Sequence, residues 1–141
     1  MSESKQKSMS IVVHSGTLDK AYPPLMLAVA AAASDMKVDL FFTFWGLSLI
    51  KKKGLRKAKL PGWMRFGTFM MKRRIKSVGI AKLEELLEAA EETGNLNIYA
   101  CTATMDLMMV KKEQLIPQVK GFIGAAGFMD IAADADIQLF I

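Results

Sequence analysis

The fold is decided by one stretch of the chain, residues 95–106, whose sequence is NLNIYACTATMD. Its first half is an apolar run typical of a buried strand, and its second half predicts a short helix over about residues 104–110. Cys101 lies at the junction. The start of a helix offers free backbone N–H groups and the positive end of the helix dipole. Both stabilise a thiolate, the reactive form of cysteine, so Cys101 is the predicted catalytic residue.

Strands and helices alternate on both sides of this stretch. The apolar pattern predicts strands over residues 9–14, 37–44, 96–100, 118–122 and 137–141, and helices over about 19–35, 80–93, 104–110 and 124–133. The helix over 80–93 places Ile80 on its apolar face. The first strand has a continuous β-branched run, which is typical of burial on both faces. The alternation therefore predicts an α/β fold, a three-layer α/β/α sandwich with a mainly parallel five-stranded sheet.

Length and composition are those of one ordinary domain, residues 1–141. Apolar residues make up 52% of the chain, enough for a substantial core. A single cysteine excludes an internal disulfide and favours a reducing compartment, so we expect a cytoplasmic protein. Residues 1–8 contain no apolar signal region. No segment approaches the ~20 apolar residues of a transmembrane helix.

The predicted functional site lies at the carboxyl edge of the sheet, where open α/β sheets bind their ligands. If the first three strands are neighbours, residues 14–16, 45–46 and 101–102 converge there. His14 could exchange a proton or stabilise an anion beside the sulfur, or be a hydrogen-bonded structural histidine. Cys101 could equally be a small buried hydrophobe. The candidate substrate-binding residues are His14, Ser15, Gly16, Trp45, Gly46, Thr102, Met105 and Asp106.

Neither a metal site nor a nucleotide cofactor is predicted. One histidine, one cysteine and scattered acids do not form a ligand cluster of recognisable spacing. Ser15-Gly16 precedes a helix but lacks a phosphate-loop pattern, and the glycines of residues 124–127 do not follow the first strand.

The positive charge of the chain is concentrated in residues 51–76, a predicted basic insertion with 11 of the 19 basic residues and no acid. It could be a flap that attracts anions, or a patch that contacts a membrane surface or nucleic acid. The interpretation we favour is a solvated insertion whose aromatic residues, Trp63, Phe66 and Phe69, pack on the body. A nucleic-acid partner is not expected, because the charge is not accompanied by a specific motif.

Several stretches together resemble a known family. They are residues 99–108 (YACTATMDLM), 111–116 (KKEQLI), 124–130 (GAAGFMD), 139–141 (LFI) and 42–47 (FTFWGL). They are similar to the DsrE/DsrF/DsrH-like family, and most similar to its DsrE-like sulfur-carrier branch, whose members are often called peroxiredoxin-family proteins. The second name is not supported, because no Thr-x-x-Cys pattern and no second cysteine to resolve a sulfenic acid are present.

The resemblance implies a flavodoxin-like α/β/α domain that forms homo-oligomers in the cytoplasm. It also implies a sulfur carrier or sulfurtransferase that holds sulfane sulfur as a persulfide or thiosulfonate on the residue corresponding to Cys101. The implied partners are an anionic sulfur donor and rhodanese-like or small sulfur-carrier proteins. The alternative from another class is a non-catalytic oligomeric module that binds a small ligand and has a structural cysteine.

Overall fold

The computed structural model describes residues 5–141 and contains a sheet of five parallel strands in the order β4-β3-β2-β1-β5. The predicted α/β fold is therefore confirmed, and so is the adjacency of the first three strands. The strands are β1 (Ser8–Val13), β2 (Lys37–Phe42), β3 (Leu96–Cys101), β4 (Val119–Ile123) and β5 (Ile137–Phe140). The α-helices are α1 (Leu18–Ala33), α2 (Gly54–Lys57), α3 (Thr68–Ser77), α4 (Leu83–Glu92), α5 (Thr102–Leu107) and α6 (Ala125–Ala132).

One face of the sheet, called here the α1 face, holds the main hydrophobic core. Ile11, Leu40 and Ile98 point to this face from three adjacent strands and are at most 1% exposed. Leu25 of α1 and Leu87 of α4 pack into the same cluster. Burying branched aliphatic side chains to this degree stabilises a domain by about 1.5–3 kcal/mol each. This face therefore provides most of the apolar burial.

The opposite face, called here the α6 face, is covered by the short helix α6. The ring of Phe128 stacks on the ring of Phe41 with 4.6 Å between centroids and an interplanar angle of 10°. Cys101 and Ala132 complete this smaller cluster. Farther along the same face, the ring of Phe140 on β5 is 70% exposed. Helices thus lie on both sides of the sheet, with a thin second layer on the side of Cys101.

Three predicted elements have wrong boundaries. The helix predicted over about residues 104–110 spans Thr102–Leu107, so it begins directly after Cys101. The second strand ends at Phe42, because Phe44 adopts a left-handed φ of 47° and a 3₁₀ helix follows over Phe44–Ile50. The helix predicted from Ile80 begins at Leu83, because Gly79 has a φ of 82° and Glu85 accepts a hydrogen bond from the N–H of Lys82 at 3.1 Å. Ile80 itself is 39% exposed and lies outside the helix.

The basic segment contains helical structure that the sequence analysis left unassigned. A 3₁₀ helix over Gly62–Gly67 leads directly into α3, and residues 62–77 are called here the arm. The expectation that its aromatic residues pack on the body is wrong, since Trp63, Phe66 and Phe69 are 83%, 80% and 70% exposed. No helix within residues 5–141 is both long and apolar enough to cross a bilayer.

Candidate functional site

Cys101 is the last residue of β3 and the N-cap of α5, as the sequence predicts. Its backbone is extended, with φ −73° and ψ 117°, so the chain turns from strand to helix at this residue. The thiol is free but buried, with 5% of the residue exposed, among Phe41 and Phe128 of the α6-face cluster. The sequence left open whether Cys101 is a reactive thiol at the edge of the sheet or a small buried hydrophobe, and the structure shows that its side chain is buried.

The surroundings of the sulfur favour its ionised form. Burial raises the pKa of the Cys101 thiol, but hydrogen-bond donors outweigh burial, and the pKa lies below its ordinary value. The donors are the hydroxyl and N–H of Thr104, the hydroxyl of Thr43 and the N–H of Ala103. Ala103 and Thr104 are the second and third residues of α5, whose N–H groups an N-cap side chain normally accepts. Hydrogen bonds to the charged form of a group lower its pKa, so these donors interact most strongly with the thiolate, although the neutral thiol completes no regular cap hydrogen bond.

Two threonines that the sequence analysis did not select connect β2 to the sulfur. The hydroxyl of Thr104 accepts a hydrogen bond from the N–H of Phe44 at 3.0 Å, and its oxygen lies 3.1 Å from the hydroxyl oxygen of Thr43. Thr104 is 2% exposed, so this arrangement is shielded from water. A signal was present in the sequence: a hydroxyl residue three positions after an N-cap cysteine faces back towards the sulfur.

His14 lies in the same row of the sheet as Cys101. Val13 pairs with Phe42, and Phe42 pairs with Ala100, so the next residues in register are His14, Thr43 and Cys101. Two strand spacings separate the Cα atoms of His14 and Cys101 by about 10 Å. The His14 ring stacks on Phe140 at 4.6 Å, and its Nδ1 is buried without a partner within residues 5–141. His14 therefore faces the same side of the sheet without touching the sulfur.

Two glycines allow the loops at this edge to approach each other closely. A Cβ on Gly46 would lie 2.1 Å from the carbonyl oxygen of Val13, and a Cβ on Gly16 would lie 2.4 Å from that of Trp45. Either substitution would force the backbones apart. Gly16 and Gly46 thus bring the loop after β1 against the 3₁₀ helix after β2. This agrees with the predicted convergence of residues 14–16 and 45–46.

The other candidate residues have separate surroundings. Met105 is 7% exposed and belongs to the main core on the α1 face, so its side chain faces away from the α6-face cluster. The indole of Trp45 is 69% exposed, and Thr102 and Asp106 are exposed on α5. The hydroxyls of Ser15 and Thr17 lie 3.3 Å apart in the loop that leads into α1.

A cationic cleft of about 490 Å³ adjoins this loop. Gly16, Thr17 and Ser48 form one side, and the basic side chains come from the segment that the sequence analysis singled out. Those side chains are Lys51, Lys52, Lys57, Lys59 and Arg65. The cleft therefore joins two predicted features, but Cys101 is not among its lining residues. Residues 5–141 contain no group of three or more His, Cys, Asp or Glu side chains that could hold a metal ion.

Comparison with known proteins identifies the family. The family model described as the DsrE/DsrF/DrsH-like family matches residues 5–64 and 56–140, which together span nearly all of the chain. The chain belongs to the DsrE/DsrF/DrsH-like family.

Two relatives match this family member over nearly their whole length. A protein of Allochromatium vinosum named sulfur carrier protein DsrE2 is 38% identical over 160 aligned positions, which cover 97% of this chain and 99% of the relative. The uncharacterized protein YrkE of Bacillus subtilis is 30% identical, with coverage of 96% and 97%. The crystal structure of the YchN protein from E. coli superimposes with a TM-score of 0.63 at 18% identity, covering 97% of this chain and all of that one. This likeness confirms the fold.

Proposed function

We propose that this DsrE/DsrF/DrsH-like chain is a sulfur carrier that holds sulfane sulfur on Cys101 as a persulfide. The observation that supports this proposal most directly is the set of donors around the sulfur, which lower the pKa of Cys101 despite its burial. A thiolate is the attacking form in sulfur exchange. The A. vinosum relative named as a sulfur carrier supports the same role.

The chemistry proceeds in two balanced exchanges. The Cys101 thiolate attacks the outer sulfur of a donor persulfide; a new bond forms to Sγ, the donor S–S bond breaks, and the donor leaves as a thiolate. If the donor is thiosulfate, the leaving group is sulfite. A partner thiolate then attacks the outer sulfur on Cys101, and the Cys101 thiolate is regenerated. No external oxidant or reductant is required.

The donors around Cys101 and the separate cationic cleft have distinct roles in this proposal. The donors on Thr43, Ala103 and Thr104 stabilise the anionic sulfur before attack and after release. The cationic cleft beside Gly16 attracts an anionic donor by its local field. The family resemblance suggests rhodanese-like or small sulfur-carrier proteins as the acceptors, and a homo-oligomer as the working assembly.

Access to the sulfur requires a local movement. Phe41 and Phe128 cover the thiol on the α6 face. Gly124, the N-cap of α6, lies close to Thr102, since a Cβ added to this glycine would be 3.8 Å from the Thr102 hydroxyl. α6 is one short helix, so its displacement disturbs few contacts. We propose that docking of the donor or acceptor moves α6, and that its return protects the bound sulfur from water and stray thiols.

Intact-mass measurement after incubation with polysulfide or thiosulfate tests the carrier role. We expect wild-type protein to gain sulfur that dithiothreitol removes, and Cys101→Ser to gain none. Glutathione in the same mixture serves as the reference thiol. Persulfidation of glutathione without any adduct on the folded protein would contradict the proposal.

The burial of Cys101 favours the second candidate, an oligomeric module that binds a small ligand and has a structural cysteine. This alternative predicts that a thiol reagent modifies Cys101 at a rate limited by global unfolding. The carrier role predicts modification through local opening, at a rate that urea well below the unfolding transition leaves nearly unchanged. The urea dependence of the modification rate therefore separates the two functions.

A further inference from the structure

The arm exposes a cluster of large apolar side chains to solvent. Six such residues lie within nine positions of sequence and are 43–83% exposed: Trp63, Met64, Phe66, Phe69, Met70 and Met71. With Leu60, Arg73 and Arg74 most of them line an open cleft of about 790 Å³. Contiguous apolar surface of this kind marks an interaction site.

One side of α3 attaches the arm to the body. Thr68 is buried and its hydroxyl accepts a hydrogen bond from the N–H of Leu60 at 3.0 Å. One turn later, the Lys72 ammonium donates to the carbonyl of Arg56 at 2.6 Å. Ile75, on the same side, is half-buried. Residues at this spacing share a helix face. Met70, Met71 and Arg74 lie between them and line the open cleft of the arm. Phe69 and Arg73 line a second cleft, between α3 and the body, although the ring of Phe69 is 70% exposed.

The charges on the arm select the chemistry of its partner. The arm contains five of the 11 basic residues of the segment 51–76 and no acid. They are Arg65, Lys72, Arg73, Arg74 and Lys76. The one ion pair within residues 5–141 joins Lys37 to Asp39, outside this segment. The guanidinium groups of Arg65 and Arg73 lie 5.3 and 5.9 Å from the ring centroids of Phe66 and Phe69. Cationic groups and apolar rings therefore occupy one surface, which fits an anionic partner with an apolar interior.

We propose that the arm binds the surface of an anionic lipid bilayer. Trp63, Phe66 and Met70 enter the headgroup region, and Arg65, Arg73 and Arg74 contact lipid phosphates. With 10 residues, α3 is about 15 Å long, half the thickness of the hydrocarbon core. It therefore lies along the interface. A symmetric contact between two copies would place the same positive charges against each other, and this disfavours self-association through the arm.

Flotation with phosphatidylcholine vesicles, with and without phosphatidylglycerol, tests the proposal. We expect flotation only with phosphatidylglycerol, and weaker binding as salt increases. Arg73→Gln with Arg74→Gln should weaken binding about 10-fold or more, whereas the matched pair Lys5→Gln with Lys7→Gln should not. In a Trp45→Phe background, Trp63 fluorescence should shift to shorter wavelength on the same vesicles.

The apolar contribution has its own matched control. Phe66→Ser with Phe69→Ser should reduce vesicle affinity at least 10-fold, whereas Phe140→Ser, at an equally exposed phenylalanine outside the arm, should leave it unchanged. Circular dichroism should show each variant folded. Three results would overturn the proposal: equal flotation of wild-type and arm variants, arm substitutions that dissociate a homo-oligomer in the absence of vesicles, or capture of the arm by single-stranded RNA together with no flotation.

Discussion

The two faces of the sheet differ in composition although the same strands form both. On β2, Val38, Leu40 and Phe42 point to the α1 face, and Asp39 and Phe41 point to the α6 face. The α1 face is continuous hydrocarbon under two long helices. The α6 face has a buried carboxylate, an aromatic stack and a thiol along its length. The comparison shows that one side of the sheet stabilises the fold, and that the other side has the groups capable of chemistry.

The polar groups at the amino end of the α6 face have their hydrogen-bond partners within the sheet. The Asp39 carboxylate is 1% exposed and accepts a hydrogen bond from the Asn97 amide at 3.0 Å. The ammonium of Lys37 lies 3.7 Å from its other oxygen, and Lys120 donates to the Asn97 side-chain oxygen at 2.9 Å. Buried polar groups need such partners. The sulfur of Cys101 lies at the opposite, carboxyl end of the same face.

The largest effect should come from the α1 face. Leu40→Ala removes a fully buried side chain from the main core, and we expect a loss of about 2–5 kcal/mol in the free energy of unfolding. Urea unfolding followed by circular dichroism measures it. Leu107→Ala, at a leucine that is 67% exposed, should stay within about 0.5 kcal/mol of wild type. Similar losses of unfolding free energy in both variants would mean that the core on the α1 face contributes no more to stability than an exposed position.

A substitution on the α6 face should change reactivity. Phe128→Ala removes a ring that stacks on Phe41 above the sulfur, so the cover opens more often. We expect iodoacetamide to alkylate Cys101 about 10-fold faster or more in conditions where the variant is folded. Phe140→Ala, which removes an exposed ring on the same face, is the control. An unchanged rate in Phe128→Ala would mean that reagents reach the sulfur by another route.

The hydroxyl network should have a smaller effect on the same reaction. Thr104→Val removes a donor to the Cys101 sulfur, so the pKa of the thiol should rise and alkylation at neutral pH should slow by about 5-fold. Thr68→Val is a matched control, because Thr68 is also buried and its hydroxyl also accepts a backbone N–H at 3.0 Å. A rate that falls equally in both variants would indicate a general loss of stability.

The sequence predicted the features of the fold that depend on local residue patterns. Alternating apolar segments specified the five strands, and the strand–helix junction at Cys101 specified its N-cap position. It missed Thr43 and Thr104 because their effect on the sulfur depends on the register between β2 and β3. It left open whether Cys101 is buried, since its burial depends on packing with Phe128, a residue of a separate helix.

The basic segment shows a different limit of prediction. Clustered charge and aromatic residues were evident from the sequence, but the location of the aromatic side chains was not. We expected them to pack on the body, as most large apolar residues do. Thr68, Lys72 and Ile75 pack against it at helical spacing, and this arrangement leaves the three rings at least 70% exposed. Whether an aromatic side chain is packed or exposed depends on tertiary contacts, which the sequence of a single helix does not determine.

The smallest predicted effect is a pH dependence of stability that originates on the α6 face. Donors on Thr104, Ala103 and Thr43 place the pKa of Cys101 in the folded protein below its value in the unfolded chain. The ionised thiol therefore stabilises the folded state above the unfolded pKa, and this contribution is lost as pH falls through the folded pKa. Burial of the sulfur opposes the donors, so the net effect is smaller than that of Leu40→Ala.

The difference in unfolding free energy between wild type and Cys101→Ser isolates this contribution. We expect the difference to shift in favour of wild type as pH rises from about 6 to about 10, across the range in which thiols ionise. Urea unfolding under reducing conditions at each pH measures it, and Thr104→Val should reduce the slope because one donor is lost. A difference that stays constant with pH would mean that the folded environment does not favour the thiolate. The alkylation rate of Phe128→Ala would then measure only how easily the reagent reaches the sulfur. The two faces would then differ chemically in the exposure of the sulfur and no longer in its charge.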